Sequence, residues 1–558
     1  MTGQTGVRGF RVSRRFRTLV ISVITATAAT WIVYGHTLEY GFSYDDYILV
    51  RPHNVEDVTR SFSASWDTTG VMVPFYRPLT VAFNAIRYEL FGLDSRAHHY
   101  VSLGLFACCA LLTGWLSHRM TGQTVAAVLA ILMFVAHPAM PYALVVWITN
   151  QMHLIETLAI LTALCWWHAV RTSSVRWWWP LLALAAIAFM IKEDGIMLLP
   201  MIIATHTINR YLRERHLPHV RIAFVTAAVL LIAALLFVRT AALDGLGGYG
   251  RPSFEQAWRN YVGGISGTLR LTPADRPWQG LASAFATALP VLAVLLWRRT
   301  RAGSRTLLVV GLGMALLFNL PFVFVSKAEQ MHLVAAGAVL FMTGSAVMVL
   351  DALPNTIARG AATVVILLGV GACAAVARDI SKDFEPFGPK VLATDIIVRG
   401  WPHVPAQIKD YLARKEQPHA SSRVSTNPIH ELSHVIYGAH EMETAPDGTR
   451  YQWMSGPAAD VFVFQPARSV IIPLRHDRGA FRETAIARLE VGRRTADEIR
   501  FETSDWRQST ITLPRGGAPG RPVHIRISID HAWVPSRVIP QSADSRTLGL
   551  QIGELTLR

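Results

Sequence analysis

The sequence predicts a polytopic α-helical membrane protein followed by a β-sandwich, and two observations carry that prediction. Of 558 residues, 51% are hydrophobic and only 16% charged, which excludes an ordinary soluble globule. Near residue 430 long apolar windows give way to short runs of alternating apolar and polar residues, the pattern of half-buried strands.

Windows long enough to cross about 30 Å of hydrocarbon as helix recur near 17–36, 99–117, 121–137, 152–169, 177–192, 195–210, 221–240, 279–297, 306–325, 331–350 and 360–378, about eleven spans. Short loops rich in Lys and Arg stay on the cytoplasmic side. The N-terminal arginines Arg8 to Arg17, then His118-Arg119, Arg171 to Arg176, Arg210 to Arg221 and Arg298 to Arg305, each follow an even number of spans. That places on the outer face the first loop, 37–98, the turns near 138–150, 192–195 and 326–331, the loop 241–278, and everything after about 379. The first span reads as a signal anchor, since no small-residue cleavage site follows it. Without any Asn-x-Ser/Thr sequon, the chain fits a bacterial source, and its expected location is the inner (cytoplasmic) membrane.

The formal charge of +15 is largely topogenic, and no basic-aromatic platform for bases accompanies it, so nucleic acid is not an expected partner. All four cysteines, Cys108, Cys109, Cys165 and Cys373, fall within the expected spans. The outer domain therefore has no disulfide framework and must stand on packing.

Three regions follow along the chain: a membrane domain over 1–380, a proline-rich connector over 381–428 and a sandwich over 429–558. Within the first loop, Val55 to Phe62 and Val81 to Phe91 suit helices lying on the membrane surface. The connector carries Pro386, Pro389, Pro402, Pro405 and Pro418, with one short helix expected near Ala406 to Arg414. Strands are expected at Val461 to Phe464, Ser469 to Ile472, Ser509 to Leu513 and Val523 to Ile529.

The chemistry gathers at the outer ends of the spans. Tyr44-Asp45-Asp46-Tyr47 follows the first span; neighbouring carboxylates repel, so one can take up a proton while the other stays ionised. Further along come Tyr76-Arg77-Pro78-Leu79-Thr80, His137-Pro138, Trp147-Ile148-Thr149-Asn150-Gln151-Met152-His153, Lys192-Glu193-Asp194 and Lys327-Ala328-Glu329-Gln330-Met331-His332. Ionisable groups next to hydrocarbon are costly and mark function. Transfer of a sugar from a lipid phosphate needs this combination: a carboxylate to deprotonate the attacking hydroxyl and cations for the departing phosphate. Each motif also has a plainer reading. Arg77 could anchor the loop, His137 could close a helix end, and Lys192-Glu193 could be a snorkelling ion pair.

The order Phe42-Ser43-Tyr44-Asp45-Asp46, Tyr-Arg-Pro-Leu-Thr, His-Pro with a following Trp-Ile-Thr, and Lys-Glu-Asp-Gly before Leu-Pro resembles the membrane-integral GT-C glycosyltransferases. The nearest flavour is the protein O-mannosyltransferase and tetratricopeptide-linked branch. The resemblance implies a polyprenyl-phosphate sugar donor and inverting transfer outside the cytoplasm to a glycan, lipid or protein acceptor. It implies Asp45 or Asp46 as general base, with Arg77 and Lys192 near the donor phosphate, and the reading adopted here makes Asp45 the base and Asp46 its partner. His137, Glu193 and Glu329 complete the expected substrate contacts. Two arginines of those relatives are replaced, in Asn150-Gln151-Met152-His153 and Glu329-Gln330-Met331, and His153 and His332 are the expected stand-ins. The tetratricopeptide repeats of those relatives do not follow the spans, so their protein-modifying role is not carried over. Adjacent aspartates can hold a divalent cation, Mg or Mn, although two carboxylates alone do not make a site.

The tail, with Arg450-Tyr451-Gln452-Trp453-Met454 and Ser542 to Gly549, resembles carbohydrate-binding sandwich domains of bacterial surface-glycan proteins. Trp453, Trp506 and Trp533 are the candidate sugar-stacking residues, with burial in the core as the commoner fate of tryptophan. One motif points elsewhere: His430-Glu431-Leu432-Ser433-His434 matches the zinc-protease pattern on a helix, but Tyr437 stands where the extended motif requires glycine. A flippase or transporter for a lipid-linked sugar is the main alternative class. Against it, transporters concentrate charge near mid-bilayer, whereas these groups sit at one surface.

Overall fold

The computed structural model describes residues 14–40, 46–50, 53, 55–66, 75–92, 94–170, 178–214, 222–245, 252–270, 278–324, 331–399, 406–407, 410, 432–463, 467–477, 484–491, 494–514, 523–530, 532–539 and 542–558. The first part is helical. In chain order the helices are α1 (Arg14–Tyr34), α2 (Asp46–Leu49), α3 (Val55–Arg60), α4 (Pro78–Phe91), α5 (Ser95–Thr121), α6 (Thr124–Ala136), α7 (Gln151–Val170), α8 (Trp178–Ile191), α9 (Leu198–Glu214), α10 (Ile222–Ala242), α11 (Phe254–Arg270), α12 (Gln279–Leu295), α13 (Ala302–Phe318), α14 (His332–Ala352) and α15 (Thr356–Arg399).

Each expected apolar window contains a helix among the described residues. Six of the helical segments, Phe16–Glu39, Ser95–Thr121, Ile222–Ala242, Ala302–Val323, His332–Ala352 and Thr356–Lys382, are long and apolar enough to cross a bilayer. Thr124–Ala136, Trp178–Ile191 and Gln279–Leu295 are shorter apolar helices. Large apolar side chains such as Ile24, Ile32, Phe237 and Leu368 face outward, as a bundle solvated by lipid requires and one solvated by water does not tolerate. The chain is a multi-pass membrane protein.

Local sequence sets the ends of these helices. The Asp94 carboxylate accepts from the Ala97 backbone N–H at 3.1 Å and opens α5; Gly122, at φ 75°, closes it with an N–H to the His118 carbonyl. Helix α14 runs through the middle of the bundle, with 89% of its apolar window buried. It meets α13 backbone to backbone, because a methyl group on Gly311 would strike Phe341 and one on Gly337 would strike Ala315. Small residues permit that approach, and dispersion drives it in lipid.

The expected loop helices are α3 and α4. Helix α15 departs from expectation: it continues beyond the apolar window to Arg399, so the start of the connector is helical.

The tail is a sandwich of two antiparallel sheets, ordered β1-β4-β9-β6-β7 and β11-β5-β10-β3-β2, with β8 on the outer side of β5. The strands are β1 (His434–Tyr437), β2 (Ala439–Thr444), β3 (Arg450–Met454), β4 (Ala458–Val463), β5 (Ser469–Arg475), β6 (Ala485–Val491), β7 (Arg494–Phe501), β8 (Arg507–Thr512), β9 (Val523–Ile529), β10 (Gln551–Gly553) and β11 (Thr556–Leu557). Alternate residues fill the core: Val470, Ile472 and Leu474 from one sheet meet Ala485, Ala487, Leu489, Ile525 and Ile527 from the other.

Helix α4 joins the two parts. Tyr88 packs edge-on against Tyr437 and Phe462, with ring centroids 6.4 and 6.2 Å apart. Arg526 reaches Glu89 at 3.7 Å. Gly92, at φ 52°, lies where a Cβ would strike the Phe462 ring; both its backbone angle and its contact demand glycine.

Candidate active site

Asp46 opens α2 and is wholly buried. Its Oδ1 accepts two hydrogen bonds from Thr149, 2.7 Å from the backbone N–H and 2.6 Å from the hydroxyl. Thr149 belongs to the turn that leads into α7, so the Trp147-Ile148-Thr149 motif serves to seat the aspartate. Asp45 lies outside the described residues.

Arg87, on the buried face of α4, comes next. Its Nη1 donates to the Ile148 carbonyl at 2.9 Å and to Gln151 Oε1 at 3.1 Å. Gln151 in turn donates to the His98 carbonyl at 2.7 Å and to the Ser102 hydroxyl at 2.9 Å. Burial lowers the Arg87 pKa to about 10, while the nearby Asp46 charge acts in the opposite direction. A guanidinium remains charged at that value.

Arg77 precedes Pro78, which starts α4 at the position where proline lacks no needed donor. Its guanidinium lies 4.0 Å from the Phe75 ring centroid and 4.8 Å from that of Trp66, a cation–π arrangement that holds it in one orientation. Its Nε donates to Glu193 Oε2 at 3.0 Å, while Glu193 Oε1 accepts from the Tyr76 N–H at 3.2 Å. Lys192 turns the other way and donates to Asp194 Oδ2 at 2.7 Å. The plain Lys192-Glu193 ion pair is therefore corrected: neighbouring backbone positions point apart, and each side chain takes a different partner.

A third group lies at the starts of α7 and α14. His332 Nε2 is 2.9 Å from Glu156 Oε2, and the His332 ring stacks on His153 with centroids 4.4 Å apart and planes 4° from parallel. All three residues are buried.

The sequence-predicted residues thus divide. Asp46, Arg77, Lys192, Glu193, His153 and His332 occupy the same end of the bundle, the end that α4 shares with the sandwich. His137 accepts from the Ala139 N–H at 3.2 Å, as a helix-end residue does, and lines an apolar cavity with Thr268, Phe285, Met342 and Cys373. Glu329 lies outside the described residues. Sequence reasoning missed Glu156, Arg87 and the anchoring role of Thr149. Glu156 was detectable as the one acid inside an apolar window, and Arg87 as a charge on the apolar side of a loop helix.

In the sandwich, Trp453 and Trp533 are buried together with Leu548 in an edge-on pair at 6.2 Å. Trp506 is half-buried beside Tyr451, 6.4 Å between centroids. Trp453 and Trp533 thus take the core alternative that the sequence also offered, and Trp506 is half-buried. The helix expected under the His-Glu-x-x-His motif does not include His434. His434 opens strand β1 and its Nδ1 lies 2.9 Å from the Ser433 hydroxyl, so it is not on the helix that would align it with its partner. His430 and Glu431 lie outside the described residues. His440 faces the Thr547 carbonyl at 2.9 Å.

No family model matches the chain, and no curated protein matches it. Solved structures do. The Archaeoglobus fulgidus oligosaccharyltransferase, solved with a tethered acceptor peptide, is 13% identical with a TM-score of 0.45, over 74% of this chain and 60% of that one. The chain thus spans about three fifths of that protein's length. ArnT from Cupriavidus metallidurans, solved bound to undecaprenyl phosphate, is 14% identical with a TM-score of 0.37, over 72% of this chain and 81% of that one. The arabinosyltransferase EmbB from Mycobacterium smegmatis is 13% identical with a TM-score of 0.31, over 99% of this chain and 66% of that one.

Proposed function

We propose that the chain is a GT-C glycosyltransferase that moves a sugar, with inversion, from a polyprenyl-phosphate donor to an extracytoplasmic acceptor. The observation that supports this reading is the clustering of buried acids and bases at one end of the bundle. Asp46 is fixed by two donors from Thr149, Arg77 is held between two rings and Glu193, and Lys192 is held by Asp194.

Each part has a task in the reaction. The Asp45-Asp46 pair supplies the base that takes the acceptor hydroxyl proton, with Asp45 in that role and Asp46 fixing the local backbone through Thr149. Arg77 and Lys192 stabilise the negative charge that develops on the departing lipid phosphate. The sugar–phosphate C–O bond breaks as the acceptor oxygen bonds to the anomeric carbon from the opposite face, which inverts the configuration. The positive-inside distribution of arginines supports an outer-side position for this end of the bundle and the sandwich, and the reading takes the membrane to be the inner one.

The experiment is transfer from a panel of radiolabelled polyprenyl-phosphate sugars by the purified full-length protein in detergent, with an envelope extract as acceptor. Release of free lipid phosphate and labelled product that falls in Asp45→Asn is the expected result. Intact protein that releases nothing from any donor would sink the transferase reading and favour a flippase for the same lipids.

A further inference from the structure

Glu156 of α7, Asp194 of the turn before α9 and His332 at the start of α14 converge from distant parts of the chain. All three are buried, and one potential ligand atom from each lies within 4.8 Å of the other two. Glu156 Oε1 and Asp194 Oδ1 accept from no donor among the described residues while both carboxyl groups are ionised. A buried polar atom left in that condition costs about 1–3 kcal/mol, and more when charged, so the site calls for a species that those two oxygens can hold.

Charge narrows the choice. The two carboxylates face one ammonium, Lys192, whose Nζ is 2.7 Å from Asp194 Oδ2. With His332 neutral, one negative charge remains, and a proton or a cation must balance it in so buried a place. Geometry favours the cation. Lys192 occupies Oδ2 of Asp194 and leaves Oδ1 to bind. His332 Nε2 and Glu156 Oε2 share a hydrogen bond of 2.9 Å, which ligation of an ion would replace at the cost of a small separation, since ligands about 2.0–2.1 Å from a tetrahedral ion lie ~3.3 Å apart. Stacking on His153 fixes the His332 ring, as rings that ligate metals are fixed by their neighbours.

We infer that Glu156, Asp194 and His332 bind one divalent transition-metal ion, Zn or Mn. The imidazole with two carboxylates suits Zn best, and the two carboxylates suit Mn, whereas Ca takes oxygen ligands alone and Mg keeps several waters. Binding changes the local charge from one negative to one positive at the end of the bundle that holds Arg77 and Lys192. Ion binding here stands apart from sugar transfer and is read without a donor lipid.

The test uses full-length protein in detergent, stripped with a chelator. Mn binding is followed by loss of the free-ion paramagnetic signal, Zn binding by competition with a chromophoric chelator, and thermal unfolding is recorded beside both. The expected result is one ion per chain and a raised unfolding midpoint with metal. Glu156→Gln should weaken binding by more than the ~10–100-fold that loss of an outer partner costs and abolish the metal-dependent midpoint shift. Should that variant fail to fold, His332→Gln carries the same expectation. Wild-type protein that binds neither ion at millimolar concentration, or a folded variant that binds as wild type does, would overturn the site in favour of a proton shared by the carboxylates.

Discussion

The two ends of the helical bundle use the same residue types to different ends. At the end shared with the sandwich, Asp46, Glu156, Asp194, Arg77, Arg87 and Lys192 are all buried; the Lys192–Asp194 ion pair is short and enclosed, and Arg77 meets a half-buried Glu193 at 3.0 Å. At the other end, Asp351 accepts from Gln123 Nε2 at 3.1 Å and from the Ser304 hydroxyl at 2.5 Å. It meets Arg301 at 3.4 Å, and that arginine is 68% exposed. The Asp351 carboxylate is itself enclosed, 5% exposed, so the difference lies in the partner: Arg301 reaches water, whereas Lys192 and Asp194 are both desolvated. A charge that can reach water costs little and anchors a helix end. A charge sealed within the bundle costs several kcal/mol, and a fold retains it where its chemistry is needed.

That contrast can be broken in several places. The largest effect is expected at the aspartate pair. Asp45→Asn keeps the size of the side chain yet removes the proposed base, and transfer should fall by ~10²–10⁴-fold with little change in unfolding midpoint, measured on the same preparation. Arg87→Met comes next. It removes the cation from beside Asp46 and leaves Gln151 Oε1 without its donor, so thermal unfolding should show a loss of about 3–5 kcal/mol. Gly92→Ala forces a left-handed backbone angle on a residue with a Cβ and pushes that Cβ into Phe462. The expected cost is about 1–3 kcal/mol, seen as faster hydrogen exchange in α4 and β4, where the sandwich meets the bundle.

A smaller effect belongs to His434, whose pKa is lowered by burial, with the Glu554 charge opposing that shift. A folded-state value below the unfolded one means that the unfolded chain binds the proton first as pH falls. The stability this histidine contributes is therefore complete above about pH 6.5 and is lost on acidification toward the folded-state value. His434→Gln should flatten the acid limb of the sandwich's unfolding curve. Smallest of all is Arg301→Ala, expected within about 1 kcal/mol of wild type.

Much of this architecture was legible because the signals are long or repeated. Each apolar window became a helix, since about twenty apolar residues cannot satisfy their backbone in lipid otherwise. The runs at Val461 and Val523 became β4 and β9, which pair antiparallel; burial alternates along β9, whereas β4 is buried on both faces, with Phe462 under Tyr88 of α4. The site was half legible. Asp46, Arg77 and Lys192 stand out as charges beside apolar windows, but their partners depend on chain packing that no local pattern encodes. Glu156 meets His332 across 176 positions, and Thr149 meets Asp46 across 103. His434 misled for a related reason: a five-residue motif carries no record of its secondary structure, and the alternating Val435-Ile436-Tyr437 run that follows pulls it into β1. The extent of α15 was hidden by Pro386 and Pro389, which normally end a helix.

The most direct measurement sets the two ends of the bundle side by side. Asp45→Asn and Asp351→Asn are purified in the same detergent and assayed for release of polyprenyl phosphate from the donor the wild type uses. Turnover lost in Asp45→Asn and kept in Asp351→Asn is the predicted result; equal turnover in both, from equally folded protein, would contradict the assignment of the chemistry to the aspartate pair.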